Sequence, residues 1–261
     1  MGKFEGFLIC SDIDGTFTGT DEIISANKKA VRYFIGEGGK FTFTTGRNAD
    51  HLQKIGLLDC INAPACIVNG SIIYDCETKK VLREIRLPFS VGEFMERIRE
   101  FSPSYMGITA HNGCEDGERV SFYKDSISDD IINIKPLKIV CRFHTVEDAD
   151  TFRERALNAP DFGDCYIAKS WNTGVEFNSL SATKGEAIKF IKEYLGTIHT
   201  SVGIGDYEND IPLLQGADIG VAVENALDSV KVVSDIIVKR NTECAIADLI
   251  DMLEKRKDND N

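Results

Sequence analysis

The sequence predicts an α/β protein: a parallel-sheet core interrupted by an α+β insert. Two observations carry this. Short apolar runs, such as Phe7–Cys10, Phe41–Thr45 and Thr200–Gly205, alternate with amphipathic helical stretches, the pattern of βαβ units. Between residues 87 and 180 the rhythm changes to short alternating strands mixed with helices, as in an α+β unit. The expected division is therefore 1–86, first core segment; 87–180, insert; and 181–261, second core segment.

Phe7–Cys10 reads as a buried strand and runs into Asp12-Ile13-Asp14-Gly15-Thr16. Carboxylates two residues apart project to one side of an extended chain, and Gly15 permits a sharp turn. Like charges at the end of a buried strand are costly unless a cation lies between them. Mg²⁺, an oxygen-liking ion, fits that need. The stretch thus reads as a nucleophilic carboxylate beside an acid/base carboxylate; the competing reading is an ordinary Asp/Gly turn.

Ser25 reads as the N-cap of a helix ending near Ile35, with Ala30, Val31 and Phe34 on one face. Gly36–Gly39 ends it, and Phe41–Thr45 is the next strand. A helix is expected from Arg47 to about Ile55, then a strand over Ala65–Asn69. Asn69-Gly70 reads as a turn into Ser71–Asp75, and Lys79-Lys80 as a turn into Val81–Ile85.

Leu87-Pro88 marks the boundary of the insert. Within it a helix is expected near 91–101, and strands at 106–110, 120–123, 139–143, 165–168 and 175–177. A second helix falls over 148–156, and His111–Gly117 reads as a loop. Lys184-Gly185 then opens an amphipathic helix through Leu195. Thr200–Gly205 is a strand ending in Asp206, followed by Asn209 and Asp210. Helices near 212–217, 226–233 and 245–253 alternate with strands 219–223 and 236–238, and the charged tail 254–261 is expected to fray.

These stretches together resemble the haloacid dehalogenase superfamily, in its Cof-type sugar-phosphatase-like branch. Asp12–Thr16, Thr45, Lys184 and Gly205-Asp206-Tyr207-Glu208-Asn209-Asp210 stand in the order of its four motifs. The resemblance implies a Rossmann-like core and makes the insert a cap domain. It implies a Mg²⁺-dependent phosphatase acting through an aspartyl-phosphate, with Asp12 as nucleophile and Asp14 as general acid, then base. Thr45 and Lys184 would bind the phosphoryl group, with Gly46, Arg47, Asn69 and Asn209 as further substrate contacts. Mg²⁺ would be held by Asp12, the Asp14 carbonyl and Asp206, with Asn209 and Asp210 orienting the site.

Alone, Lys184 would read as a solvated helix-start lysine, and Arg47 and Asn69 as a surface ion-pair former and a turn residue. For substrate choice the insert offers His111, Asn112, Lys169 and Trp171, placed in or near loops; His111 and Trp171 are more often structural. The stretch Asn241–Ile246 lacks the glycine usual in the family.

The net charge of −12 argues against a general nucleic-acid surface. No apolar run approaches a membrane span, and the N-terminus has no signal-peptide pattern. Eight cysteines without C-x-x-C spacing read as reduced thiols, which suits a cytoplasmic protein. The expected partner is a small phosphorylated metabolite; monomer and homodimer both stay open. Two rival functions share the scaffold: a phosphosugar mutase, and a non-catalytic metabolite-binding protein.

Overall fold

The computed structural model describes residues 2–99, 105–111, 119–122 and 129–259. The chain starts with β1 (Phe7–Ser11), α1 (Asp21–Gly36), β2 (Lys40–Phe43) and α2 (Ala49–Lys54). A small antiparallel sheet follows, β3 (Ala65–Ile67), β4 (Ile72–Asp75) and β5 (Lys80–Glu84). The middle of the chain holds α3 (Val91–Ile98), β6 (Tyr105–His111), β7 (Arg119–Phe122), α4 (Asp129–Ile132), β8 (Lys138–Phe143), α5 (Val146–Leu157), β9 (Cys165–Trp171) and β10 (Gly174–Ser179). The last part is α6 (Lys184–Leu195), β11 (Thr200–Gly205), α7 (Ile211–Gly216), β12 (Ile219–Val223), α8 (Asp228–Val232), β13 (Ile236–Val238) and α9 (Ala245–Asn259).

The predicted α/β class is what the structure shows. A five-stranded sheet in the order β13-β12-β11-β1-β2 is parallel throughout. A second five-stranded sheet, β7-β6-β8-β10-β9, is antiparallel. Each has its own apolar core. Beside the parallel sheet Phe43 meets Phe17 and Phe41 edge-on, and those two rings are tilted against each other. Phe94, Phe152, Phe162 and Phe177 cluster beneath the antiparallel one. The parallel order sets β1 between β11 and β2, so three carboxyl-terminal strand ends lie side by side, where ligands of open α/β sheets bind.

Several local expectations are corrected. α1 begins at Asp21 rather than after Ser25, because Asp21 and Glu22 suit a helix N-terminus and the buried face of Asn27, Val31 and Phe34 continues back to Ile24. α2 begins after Asn48, whose side chain accepts from the His51 N–H; Arg47 lies outside the helix. β3 stops at Ile67, and Val68, Asn69 and Gly70 take left-handed backbone with φ of 53°, 58° and 103°. A side chain at Gly70 would meet the Thr183 carbonyl at 2.5 Å, so this loop is pressed against the start of α6. Lys169 and Trp171 lie at the end of β9, next to the turn at 172–173, and α9 extends through residues expected to fray. His111 ends β6, while Asn112 and most of the expected 111–117 loop lie outside the described residues. Seven cysteines fall among the described residues and all are unpaired thiols.

Candidate active site

Asp12 follows β1 and continues its pairing, its N–H donating to the Ile204 carbonyl at 2.9 Å. The residue is 7% exposed, and that remnant opens on a cleft of about 550 Å³. The cleft is also lined by Asp14, Thr45, Gly46, Arg47, Asp206 and Asn209, so every one of these predicted residues reaches one cavity. Its volume is in the range of small-molecule sites.

Lys184, at the first turn of α6, is fully buried and lies beneath the cleft. Its ammonium donates to Asp12 Oδ1 at 2.6 Å and to Asp210 Oδ1 at 2.5 Å. Two close glycine contacts bring it there. A Cβ on Gly185 would meet the Pro212 carbonyl at 2.2 Å, and one on Gly216 would meet Gly185 at 2.9 Å, so α6 and α7 pack nearly backbone to backbone. Asp210 Oδ2 accepts from the N–H groups of Asp206 and Tyr207 at 2.9 and 3.0 Å. With both oxygens engaged, Asp210 fixes the lysine and the Asp206 loop together.

Asp206 is half-buried and accepts from the Thr16 hydroxyl at 3.1 Å. Gly15 explains its approach to the first motif. Its φ is +81°, and a Cβ there would lie 2.3 Å from Asp206 Oδ2. Gly15→Ala should therefore destabilise the fold by about 1–2 kcal/mol through left-handed backbone strain and displace Asp206. Denaturant unfolding and metal titration check both effects; unchanged metal affinity would contradict the second.

Asp12, Asp206 and Asp210 bring carboxylate oxygens within 4.8 Å of one another. One ammonium against three carboxylates leaves two negative charges uncompensated when all are ionised, the charge of one divalent cation. The donor set is oxygen only, which suits Mg²⁺. Burial, opposed by Lys184 but reinforced by Asp210 and Asp206, pushes the Asp12 carboxyl well above the usual range. Burial works against the Lys184 charge too, but Asp12 and Asp210 outweigh it and hold the ammonium protonated.

Burial, with Asp210 beside it, pushes Asp206 up to about 7. Between the ordinary carboxylate range and that value the folded chain keeps a proton the unfolded chain has lost. In the absence of metal this lowers stability as pH rises from about 4 to 7. Asp206→Asn removes that dependence. Its stability relative to the parent should rise by on the order of 2 kcal/mol across the same window. Urea unfolding in chelator at the two ends of the window measures it, and a pH-independent difference would contradict the assignment.

Thr45 is buried; its hydroxyl oxygen accepts from the Arg47 N–H at 3.2 Å, leaving its own proton for the cleft. Thr44 does not line the cleft. Arg47 grips Asp14 through two bonds of 2.6 and 2.7 Å. Asn69 faces the antiparallel sheet instead of a surface turn. Its amide donates to Glu176 Oε2 at 2.5 Å and accepts from Asn209 at 3.3 Å.

Sequence reasoning missed the residues that the antiparallel sheet adds. Lys138 donates to Glu176 Oε1 at 2.9 Å and to the Gly46 carbonyl at 3.0 Å, a buried pair reaching across to the Thr45 loop. Burial works against the Glu176 charge, but Lys138, Ser170 and Asn69 outweigh it and hold its carboxyl below the ordinary value. Val140, Arg142 and Ser170 also line the cleft, beside Trp171, which the sequence had already offered for substrate choice. Thr16 was within the motif, but its bond to Asp206 spans 190 residues and has no local signal.

Residues 9–250 match the haloacid dehalogenase-like hydrolase family. The chain belongs to that family. It is 26% identical over 245 residues to the 5-amino-6-(5-phospho-D-ribitylamino)uracil phosphatase YcsE of Bacillus subtilis, covering 93% of this chain and 94% of the relative. It is 28% identical over 236 residues to a phosphoglycolate phosphatase of Methanopyrus kandleri, covering 88% and 90%. A haloacid dehalogenase-like hydrolase from Bacteroides thetaiotaomicron has the same fold, with TM-score 0.73, 21% identity and coverage of 96% and 99%. Among the described residues of this hydrolase, no helix is long and apolar enough to cross a membrane.

Proposed function

We propose that this hydrolase is a Mg²⁺-dependent phosphatase that cleaves phosphate monoesters of small hydroxylated metabolites, sugar or polyol phosphates among them, through an aspartyl-phosphate. The observation that supports it most is the buried Asp12–Lys184–Asp210 array opening on a cleft beside Asp206. Relatives of nearly equal length bearing phosphatase names agree with it. In this reading residues 87–180 form a cap over a core made of 1–86 and 181–261.

Lys184 holds Asp12 Oδ1, which leaves Oδ2 as the attacking oxygen. Oδ2 forms a bond to phosphorus as the bond from phosphorus to the alcohol oxygen breaks. Asp14, at the cleft wall, once released by Arg47 and protonated from solvent, gives that proton to the alcohol oxygen and then takes one from the water that hydrolyses the aspartyl-phosphate. Arg47 keeps Asp14 at the wall and must yield it to the leaving group. The Thr45 hydroxyl and the Lys184 ammonium offset phosphoryl charge. Asp12, Asp206 and the main-chain carbonyl of Asp14 would hold Mg²⁺, which when bound neutralises phosphate charge and aligns it for in-line attack.

Phosphate release from a panel of phosphorylated metabolites tests this reading. Turnover should fall at least 100-fold in chelator and return with Mg²⁺. Absence of phosphate release from the whole panel would overturn it, and isomerised sugar phosphate without free phosphate would show a mutase instead.

A further inference from the structure

We propose that the outer half of the cleft is a stacking subsite for a planar, oxygen-bearing ring on the alcohol part of the substrate. Trp171 is its platform and Arg142 its hydrogen-bond donor. The inference rests on the phosphatase reading for the position of the phosphate, and deepens it by naming the leaving group.

Gly174 on β10 pairs with Arg142 on β8 and with Trp171 on β9. Directly paired residues place their side chains on one face of a sheet. The missing side chain of Gly174 therefore leaves a gap between the other two. A Cβ at Gly174 would lie 2.2 Å from Trp171 Cε2 and Cζ2, so the six-membered ring of the indole lies over the Gly174 backbone. Any other residue here would lift it off.

The pairing also shifts register between Gly174 and Val175, a bulge that turns consecutive residues Ser170 and Trp171 toward the same cleft. The indole thus has the sheet behind it and the cleft before it. The Arg142 guanidinium carbon is 5.8 Å from the ring, at the outer limit of a cation–π contact, and its side chain is exposed. Among the described residues no carboxylate pairs with it.

The position along β8 sets the length of the ligand. Lys138, Val140 and Arg142 alternate along one face and all line the cleft. Lys138 marks the phosphate end through its bond to the Gly46 carbonyl. Arg142 lies four residues on, roughly 13 Å at strand spacing. A sugar or short polyol spans such a gap, with a ring at its far end. At the inner end the Lys138 charge is balanced by Glu176, so a neutral hydroxylated spacer suits it. A ring carbonyl gives the Arg142 guanidinium an acceptor.

Trp171 is the sole tryptophan in the sequence, so its emission reports on this subsite alone. The Asp12→Asn protein, expected to bind without turnover, is titrated with uridine 5′-phosphate and with ribose 5-phosphate, which carries a hydroxyl in place of the base. The nucleotide should bind about 10-fold tighter, in keeping with base–aromatic stacking, and quench the emission; the sugar phosphate should not. Trp171→Leu should bring the two affinities within about twofold, and Gly174→Val should reduce the quenching while the indole remains.

Equal affinities in the parent protein, or a preference that survives Trp171→Leu, would overturn the proposal. A stronger preference for ribulose 1,5-bisphosphate, lost in Arg142→Gln, would also overturn it by showing a second phosphate in place of the ring. Free uridine separates the two levels of the argument. If neither phosphate binds, the phosphatase reading fails, whereas absence of quenching by millimolar uridine counts against the stacking subsite itself.

Discussion

Asp12→Asn is expected to lower turnover of any phosphate monoester by at least about 10⁴-fold while leaving the chain folded. The substitution keeps the shape and removes the nucleophile. It also removes a buried negative charge from a crowded set, since Asp206 and Asp210 lie within 4.8 Å of it. The Lys184 ammonium keeps Asp210 as a partner at 2.5 Å. Thermal stability of the variant should therefore stay near that of the parent or rise. Rates of phosphate release, compared with melting curves, separate loss of chemistry from loss of fold. A variant with a tenth or more of parental turnover would contradict the role given to Asp12.

Lys184→Met has the opposite balance. The lysine side chain is entirely buried, and both of its carboxylate partners are nearly so. Removing the cation leaves Asp12 and Asp210 facing each other without compensation. Breaking a buried ion pair from one side costs about 3–5 kcal/mol. The loss should be greatest at alkaline pH and shrink in acid, where protonation relieves the crowded carboxylates. Added Mg²⁺ should recover part of the stability but not the rate, because the phosphoryl charge still lacks its ammonium. Turnover should fall by 10²–10³-fold or more, the scale of removing one electrostatic stabiliser from a dry site. Denaturant unfolding across pH, with and without Mg²⁺, measures the first effect. A pH-independent loss of stability would show that packing, not charge, is what Lys184 supplies.

The core of the site was legible in the sequence because its signals are local. Asp12, Asp14 and Gly15 follow one apolar strand, and Asp206, Asn209 and Asp210 another, and strand order carries both to one rim. Lys184 was legible only through its place after the insert, since a lysine at a helix start is ordinarily solvated. Trp171 gave the weaker signal. Its meaning depends on Gly174, which opens the space for the indole, and on Arg142, which comes from a different strand. Lys138 and Glu176 read as ordinary strand residues, and only their pairing across 38 positions shows that they reach the Thr45 loop. The α1 start was misplaced because Ser25 is a good cap in isolation, whereas the buried face of the helix extends back beyond it. In each such case a contact distant in sequence outweighed a local preference.

The central claim is that Asp12 becomes covalently bonded to phosphorus. Quenching the enzyme in acid during turnover, followed by peptide mass spectrometry, tests it directly. A phosphoryl group on the peptide carrying Asp12, absent from the Asp12→Asn protein and lost on reaction with hydroxylamine, is the predicted result. A phosphoryl group on any other residue, or steady phosphate release from the Asp12→Asn protein, would contradict it.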